Sequence, residues 1–343
     1  MTSLHGRAVQ LTRYPDGAIT PECFEVVDVE VPSPRAGQVV VRNSWTSVDP
    51  GLLLRMSARA PAGYFAAFPL GRPLDGILTI GEVLESRHEG FDVGDTVWHA
   101  SGWRELSVVD ADVEQLGGLG TLTKLDVSES EPQWYLGPLG GMGLTAYAGL
   151  HVVAALRGGD TVWVSAGAGA VGSLAAQIAR NVGNTVLVST GSPHKVAWLR
   201  EELGFDLAMD YRARPLRDSL AELAPSGLDV YFDSVGGDHL EAALDAMRRG
   251  GRIALCGSIS EYQTDPRGPG NLFLAVSKEL TLRGFRGSGN LGLLPEVRRR
   301  LGGWLRAGSL VWRETVFDGL ANAPLALGEM AAGRTIGKTL VRL

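Results

Sequence analysis

Residues Gly167 to Gly172 read GAGAVG, with glycine at the first, third and sixth positions. That spacing suits a loop that cradles a dinucleotide pyrophosphate. Glycine allows a tight turn and close approach of the backbone to phosphate. A helix starting there adds free N–H groups and the positive end of its dipole. Because 46 of the 343 residues are glycine, about one chance match to such a pattern is expected. A second match does occur, GSGNLG at Gly287–Gly292.

Context separates the two. The first follows an apolar run, Thr161–Ser165, and opens a helical pattern, Ser173–Arg180. Another apolar run, Thr185–Ser189, arrives at the spacing of a βαβ unit. The second lies between Leu282–Arg286 and Leu294–Leu305, with no further strand–helix alternation after it. It reads as a glycine-rich connection at a strand's carboxyl end, a place that can still border a ligand crevice.

The segment after the second strand bears on which dinucleotide is held. It reads Ser189-Thr190-Gly191-Ser192-Pro193-His194-Lys195, with no acid before Glu201. An NAD site places a carboxylate there for the ribose 2′-hydroxyl, and that charge would repel a 2′-phosphate. Hydroxyls such as Thr190 and the cation Lys195 would bind the phosphate instead, so NADP(H) is favoured over NAD. The plainer reading of Lys195, an exposed lysine at a helix start, stays open on these residues alone.

These loops need a scaffold. From residue 126 to 304, strand and helix alternate: DTVWVSA, SLAAQIARNVG, TVLVST, HKVAWLREELG, LAMDY, RDSLAELA, LDVYFDSV, HLEAALDAMRRGG, RIALCGSI. The strands are continuous apolar runs, as in a parallel sheet covered by helices on both faces. The expectation is an α/β protein with a doubly wound parallel-sheet (Rossmann) domain at 126–304. Residues 1–125 are β-rich, with short runs such as VVDVEVP and QVVVRNSW between Gly and Pro turns, and the pattern suggests a barrel-like domain. Residues 305–343 again read as short strands, VWRETVFDGL and KTLVRL, that could return to the first domain.

Composition narrows the function class. The net charge of −6 gives no basic footprint for nucleic acid. The amino terminus, MTSLHGRAVQ, lacks a signal pattern, and no apolar stretch reaches the ~18 residues that span a bilayer. A cytoplasmic protein, with no membrane partner, is expected. Cys23 and Cys256 are the only cysteines, and the six histidines form no cluster in sequence, so no metal site is expected.

Several segments together resemble the medium-chain dehydrogenase/reductase superfamily. The nearest likeness is its zinc-free NADP-dependent branch of prostaglandin reductases, leukotriene B4 12-hydroxydehydrogenases and plant double-bond reductases. They are RNSWTSVDP (Arg42–Pro50), GFDVGDTVWHASGWREL (Gly90–Leu106), GLTAYAGL (Gly143–Leu150), AGAGAVGS, GSPHKVAWL, YFDSVGG, ALCGSISEY and GKTLV. They run in order over nearly the whole chain. The resemblance implies a GroES-like β-rich domain beside the Rossmann domain, and a homodimer. It also implies NADPH-dependent reduction of the carbon–carbon double bond of an enal or enone, with hydride to the β-carbon and no metal.

The resemblance also assigns roles. Gly169, Ala170, Val171, Gly172 and Ser173 approach the pyrophosphate. Lys195 and Tyr211 contact the 2′-phosphate, near Thr190. Ser234, where relatives usually have Asn, lies by the ribose or adenine. Cys256, Gly257, Ser258, Ile259, Ser260 and Tyr262 line the cofactor and the cleft. Thr145, Phe285, Arg286 and Gly287 approach the nicotinamide end. Thr335 stands where relatives have a cofactor-contacting Asn. Tyr262 is the candidate catalytic donor: a phenol is protonated at neutral pH and can hydrogen-bond a developing oxyanion. Cys256 and Asp233, each ending an apolar strand, read as a packed thiol and a hydrogen-bonded structural acid.

Two departures bear on the substrate. Relatives usually read DPYMR where this chain has Asp49-Pro50-Gly51-Leu52-Leu53, so Gly51 implies a wider or different pocket. The Arg286–Gly289 loop, with Ser288 facing substrate, is more polar than usual. Three other readings stay open: a quinone reductase, a reductase dedicated to one biosynthetic intermediate, and an NADPH-binding sensor without catalysis.

Overall fold

The structure is a computed structural model and describes residues 4–58, 60, 63–264 and 267–343. The first three residues of the amino-terminal reading lie outside these. In chain order the first elements are β1 (Leu4–Leu11), β2 (Phe24–Val31), β3 (Gln38–Val48), α1 (Gly51–Arg55), β4 (Thr79–Ser86), β5 (Thr96–His99), β6 (Leu106–Asp110) and β7 (Thr123–Lys124). Then follow α2 (Gly141–Ala148), β8 (Thr161–Val164), α3 (Ala170–Asn181), β9 (Thr185–Thr190), α4 (Pro193–Glu201), β10 (Ala208–Asp210) and α5 (Leu216–Leu223). The remainder are β11 (Leu228–Asp233), α6 (Gly237–Ala246), β12 (Met247–Leu255), α7 (Phe273–Ser277), β13 (Thr281–Gly284) and α8 (Leu294–Arg306). The chain ends with β14 (Glu314–Asp318), α9 (Ala323–Ala331) and β15 (Lys338–Arg342).

The chain divides into two compact units, Met1–Gly137 with Glu314–Leu343, and Pro138–Arg313. In the first, β14-β15-β3-β4-β5-β7 form one sheet, with β6 also paired to β3; β1 and β2 pair separately. Val39, Val41, Val83, Val97, Val109 and Leu122 make a core cluster against this sheet. A buried polar network pins β3. Asn43 Nδ2 donates to Arg104 O (2.8 Å) and to Ser107 Oγ (2.9 Å), and Asn43 Oδ1 lies 3.0 Å from His99 Nε2. His99 Nδ1 accepts from the Ser101 N–H (3.0 Å), which leaves Nε2 as the protonated nitrogen facing Asn43. The terminal segment holds more than strands: α9 separates β14 from β15.

In the second unit β10-β9-β8-β11-β12-β13 form one all-parallel sheet. The chain runs outward from β8 to β10, then returns to β11 beside β8 and runs the other way. This is the doubly wound order, with its switch point between β8 and β11. Trp163, Leu187, Leu228, Tyr231 and Ala243 lie in its buried core. The helical run after Gly143 is α2 followed by one π-helical turn, Gly149–Val153. Gly149 makes room there: a Cβ would stand 2.5 Å from Phe232 and 2.6 Å from Phe285. Among the described residues no helix is long and apolar enough to cross a membrane.

Candidate active site

The first glycine loop leaves β8 and enters α3 earlier than the sequence pattern suggests, because Ala170 is already helical. Each glycine has its own reason. A Cβ on Gly167 would fall 1.8 Å from Val188 Cγ1 on β9, and one on Gly172 would fall 2.4 Å from Ala166 O. At Gly169, the helix N-cap, only Ala166 O comes near, at 3.2 Å. Bare backbone is therefore presented at that point. No side chain caps α3, and its first internal bond is from Ser173 N–H to Gly169 O at 2.9 Å. The N–H groups of Ala170, Val171 and Gly172 precede that bond and suit an anionic ligand. Ser173 is buried.

The end of β9 carries positive charge. Ser192 caps α4 by accepting from the Lys195 N–H, and the Lys195 side chain is half-buried. Burial first, then the nearby Arg212 guanidinium, lowers the Lys195 pKa. Two cations held close together are a receptor for an anion with more than one charge. Tyr211 closes the corner: its N–H donates to Thr190 O at 3.1 Å, and its hydroxyl oxygen lies 2.7 Å from where a Cβ on Gly191 would stand. Arg212 is missing from the sequence-derived set, although it directly follows Tyr211 in MDYR. Its charge beside Lys195 is visible only once β10 lies next to β9.

The ends of β11 and β12 are laced together. Asp233 is buried, and its Oδ1 accepts from the Tyr231 hydroxyl (2.8 Å) and from the N–H groups of Val235 and Gly236 (both 2.9 Å). Burial raises its pKa against those bonds. Asp233 O accepts from Cys256 N–H (2.8 Å) and Gly257 N–H (3.1 Å). Ile259 N–H donates to Ser234 O, and Ser260 to Val235 O. Burial pushes the Cys256 thiol up to about 12, with a hydrogen bond to Ser234 opposing it. A thiol so protonated is a poor nucleophile. Past Ser258 the chain turns back, and the Tyr262 hydroxyl oxygen stands 2.8 Å from the Cβ position of Gly257.

At the end of β13, Phe285 packs edge-on against Phe232, with ring centroids 6.3 Å apart. Gly287 touches Thr145 so closely that a Cβ would sit 2.4 Å from its Oγ1. Arg286 is exposed, its carbonyl accepting from Gly289 N–H at 3.1 Å. Ser288 is half-buried in the 3-10 turn that follows. In this unit, therefore, the candidates from Gly169 to Ser288 gather at the carboxyl ends of parallel strands, where ligands of such sheets bind. Thr145 joins them from α2.

Gly51 and Thr335 belong to the other unit. Thr335 is buried, and its Oγ1 accepts from Thr339 Oγ1 at 3.1 Å. Gly51 opens α1. Among the described residues, no group of three or more His, Cys, Asp or Glu side chains could hold a metal ion.

Residues 7–116 match the family described as the N-terminal domain of oxidoreductase, and residues 170–301 the family described as zinc-binding dehydrogenase. The chain is 38% identical to an NADP(+)-dependent 2-alkenal reductase of Nicotiana tabacum, over 89% of this chain and 87% of the relative. It is 35% identical to prostaglandin reductase 1 of Bos taurus, over 99% of each chain. The crystal structure of CurA from Vibrio vulnificus in complex with NADPH superposes with a TM-score of 0.89 at 31% identity, covering 98% of each chain. The chain belongs to the medium-chain dehydrogenase/reductase superfamily, in the branch that holds the alkenal and prostaglandin reductases.

Proposed function

We propose that this protein is an NADPH-dependent reductase of the carbon–carbon double bond of α,β-unsaturated aldehydes and ketones. The observation that carries the cofactor half is the Lys195–Arg212 pair, in the segments that follow β9 and β10, together with the uncapped start of α3 that follows the neighbouring β8. NADP(H) is the cofactor, and the relatives named for NADP-dependent alkenal reduction and the NADPH-bound CurA structure support it. When bound, NADPH supplies hydride to the β-carbon. The protein's part is to hold, orient and polarise.

Gly169, Ala170, Val171, Gly172 and Ser173 hold the pyrophosphate, while Lys195, Tyr211 and Arg212 hold the 2′-phosphate. Thr145, Phe285 and Gly287 bound the nicotinamide end, together with the 256–260 loop. Tyr262 donates its phenolic proton in a hydrogen bond to the substrate carbonyl oxygen, where negative charge develops as the β-carbon is reduced. Ser288 borders the substrate.

The test is NADPH oxidation with a panel of enals, enones and quinones, read together with loss of alkene absorbance. The reading requires that an enone be consumed and that Tyr262→Phe lower kcat by about 10²-fold while NADPH affinity holds. Turnover of quinones alone, or NADPH binding without any turnover, rejects it.

A homodimer is part of the same reading. β13 is an edge strand with exposed residues, and next to it in sequence Phe273 and Val276 are 76% and 69% exposed. An apolar cluster beside an open sheet edge suits a second copy of the chain. Phe273→Glu should then shift a dimer to monomer in light scattering.

A further inference from the structure

His239 lies in the second unit, in the first turn of α6. Gly236 and Gly237, at φ of +71° and +48°, turn the chain from β11 into that helix, and His239 N–H donates back to Gly236 O at 3.1 Å. The imidazole is buried, at 5% exposed, and its Nε2 has no hydrogen-bond partner among the described residues. A buried nitrogen left unpaired costs stability that an apolar side chain would not. Packing alone therefore does not account for a histidine here.

Its surroundings are aromatic. Trp163 on β8 and Tyr231 on β11 are partners in the sheet and stack with ring centroids 4.3 Å apart. His239 lies nearly parallel to Trp163, at 5.8 Å and 17°. Tyr211 then meets His239 edge-on, at 4.7 Å and 78°. Four rings thus form a row from the middle of the sheet to the segment after β10, in the stacked and edge-on contacts that rings prefer. The inner end of the row is fixed. Trp163 Nε1 donates to Ser189 Oγ at 3.1 Å, and the Tyr231 hydroxyl to Asp233 Oδ1 at 2.8 Å.

The outer end is the coenzyme corner. The Tyr211 hydroxyl stands over Gly191, in the segment after β9, and the Arg212 guanidinium lies 5.7 Å from the Tyr211 ring centroid. In a sheet of this order that segment reads the ribose 2′ position of a dinucleotide. Burial lowers the His239 pKa to about 4, against Asp238, so at neutral pH the side chain contributes a flat ring and no charge.

We propose that His239 is a positioning residue for coenzyme choice: its ring backs Tyr211, and through Tyr211 it holds the Arg212 charge where the 2′-phosphate binds. The proposal rests on the reading of Lys195, Tyr211 and Arg212 as the 2′-phosphate corner. An aliphatic side chain would fill the space without giving the Tyr211 edge a ring to rest on.

The experiment titrates the full chain with NADPH and with NADH by fluorescence, in wild type, His239→Leu, His239→Phe, Tyr211→Leu, Lys195→Ala and the His239→Leu/Tyr211→Leu double variant. His239→Leu should raise the Kd for NADPH about 5- to 10-fold and leave that for NADH within about twofold. His239→Phe keeps a flat ring and should hold NADPH within about twofold of wild type. Added to Tyr211→Leu, His239→Leu should change the NADPH Kd by less than about twofold, because its route to the phosphate is already gone. Should His239→Leu fail to fold, the more adaptable His239→Met takes its place with the same expectations. Equal losses for both coenzymes, no loss for NADPH, additive effects, or a Phe variant as weak as Leu would overturn the proposal while Lys195→Ala still weakens NADPH. If Lys195→Ala leaves NADPH unchanged, the reading of the corner itself fails, and the role of His239 falls with it.

Discussion

Lys338 reaches from β15 to the end of β3 and places its ammonium 3.0 Å from Asp49 Oδ1 and 2.7 Å from Val48 O. A third bond goes to Thr339 O at 3.0 Å, and the side chain is 1% exposed. Burial lowers the Lys338 pKa, and Asp49 works against that shift. The pair fixes the turn that carries Gly51, so a distant part of the chain anchors the start of α1. Removing the cation leaves Asp49 with Ser47 as its remaining side-chain partner. Lys338→Met should cost about 3 kcal/mol, read as a shift of the denaturation midpoint in urea. A variant as stable as wild type would show that the ion pair does not hold the turn.

Lys195 and Arg212 make a prediction about cofactor choice. Lys195→Ala should weaken NADPH about 10- to 100-fold in a fluorescence titration and leave NADH within about twofold. Arg212→Ala, at an exposed position, should do the same more weakly and with a steeper dependence on salt. Equal losses for both coenzymes would mean that the two cations do not read the 2′-phosphate.

Gly287 and Thr145 predict a steric coupling. With Thr145 Oγ1 only 2.4 Å from the Cβ position, Gly287→Ala must displace one of the two segments. A loss of about 1–3 kcal/mol is expected, measurable as a lowered Tm. Thr145→Ala added to it removes the obstructing oxygen and should recover part of the loss. No recovery would place the strain elsewhere.

His99 and His239 predict an acid-sided instability. Burial lowers the His99 pKa to about 3, with Arg104 adding to the effect, and lowers His239 to about 4 despite Asp238. Both folded values lie below the ordinary value of 6.5. Between those limits the unfolded chain binds protons that the native one does not. Stability is therefore full above pH ~6.5 and falls as pH drops toward 4, by up to about 1.4 kcal/mol per pH unit for each histidine. His99→Gln should lower stability at neutral pH yet flatten this slope in urea titrations. An unchanged slope would mean that His99 takes up its proton while folded.

Much of the cofactor half was readable from the chain because it rests on local order. A strand, a glycine loop and a helix follow one another around Gly169, and the absence of an early acid after β9 is visible in a short stretch. What escaped depends on distant contacts. Arg212 gains meaning only when β10 lies beside β9. Helix α9, APLALGEMA, is apolar almost throughout, so no polar face marked it as helical within the terminal segment. Strand β1 carries no clear mark in the sequence, because Gly6 and Arg7 interrupt its alternation, and its pairing with β2 supplies the order.

The Asn43 network bears on how the first unit avoids misassembly. A sheet with a valine-rich buried face could slide by a residue and still bury greasy surface. Here such a slip would strand the His99 imidazole, the Asn43 amide and the Ser107 hydroxyl in a dry interior without one another. A wrong alignment is thereby penalised at several atoms simultaneously, and these three side chains act as a registration key for the strands around them.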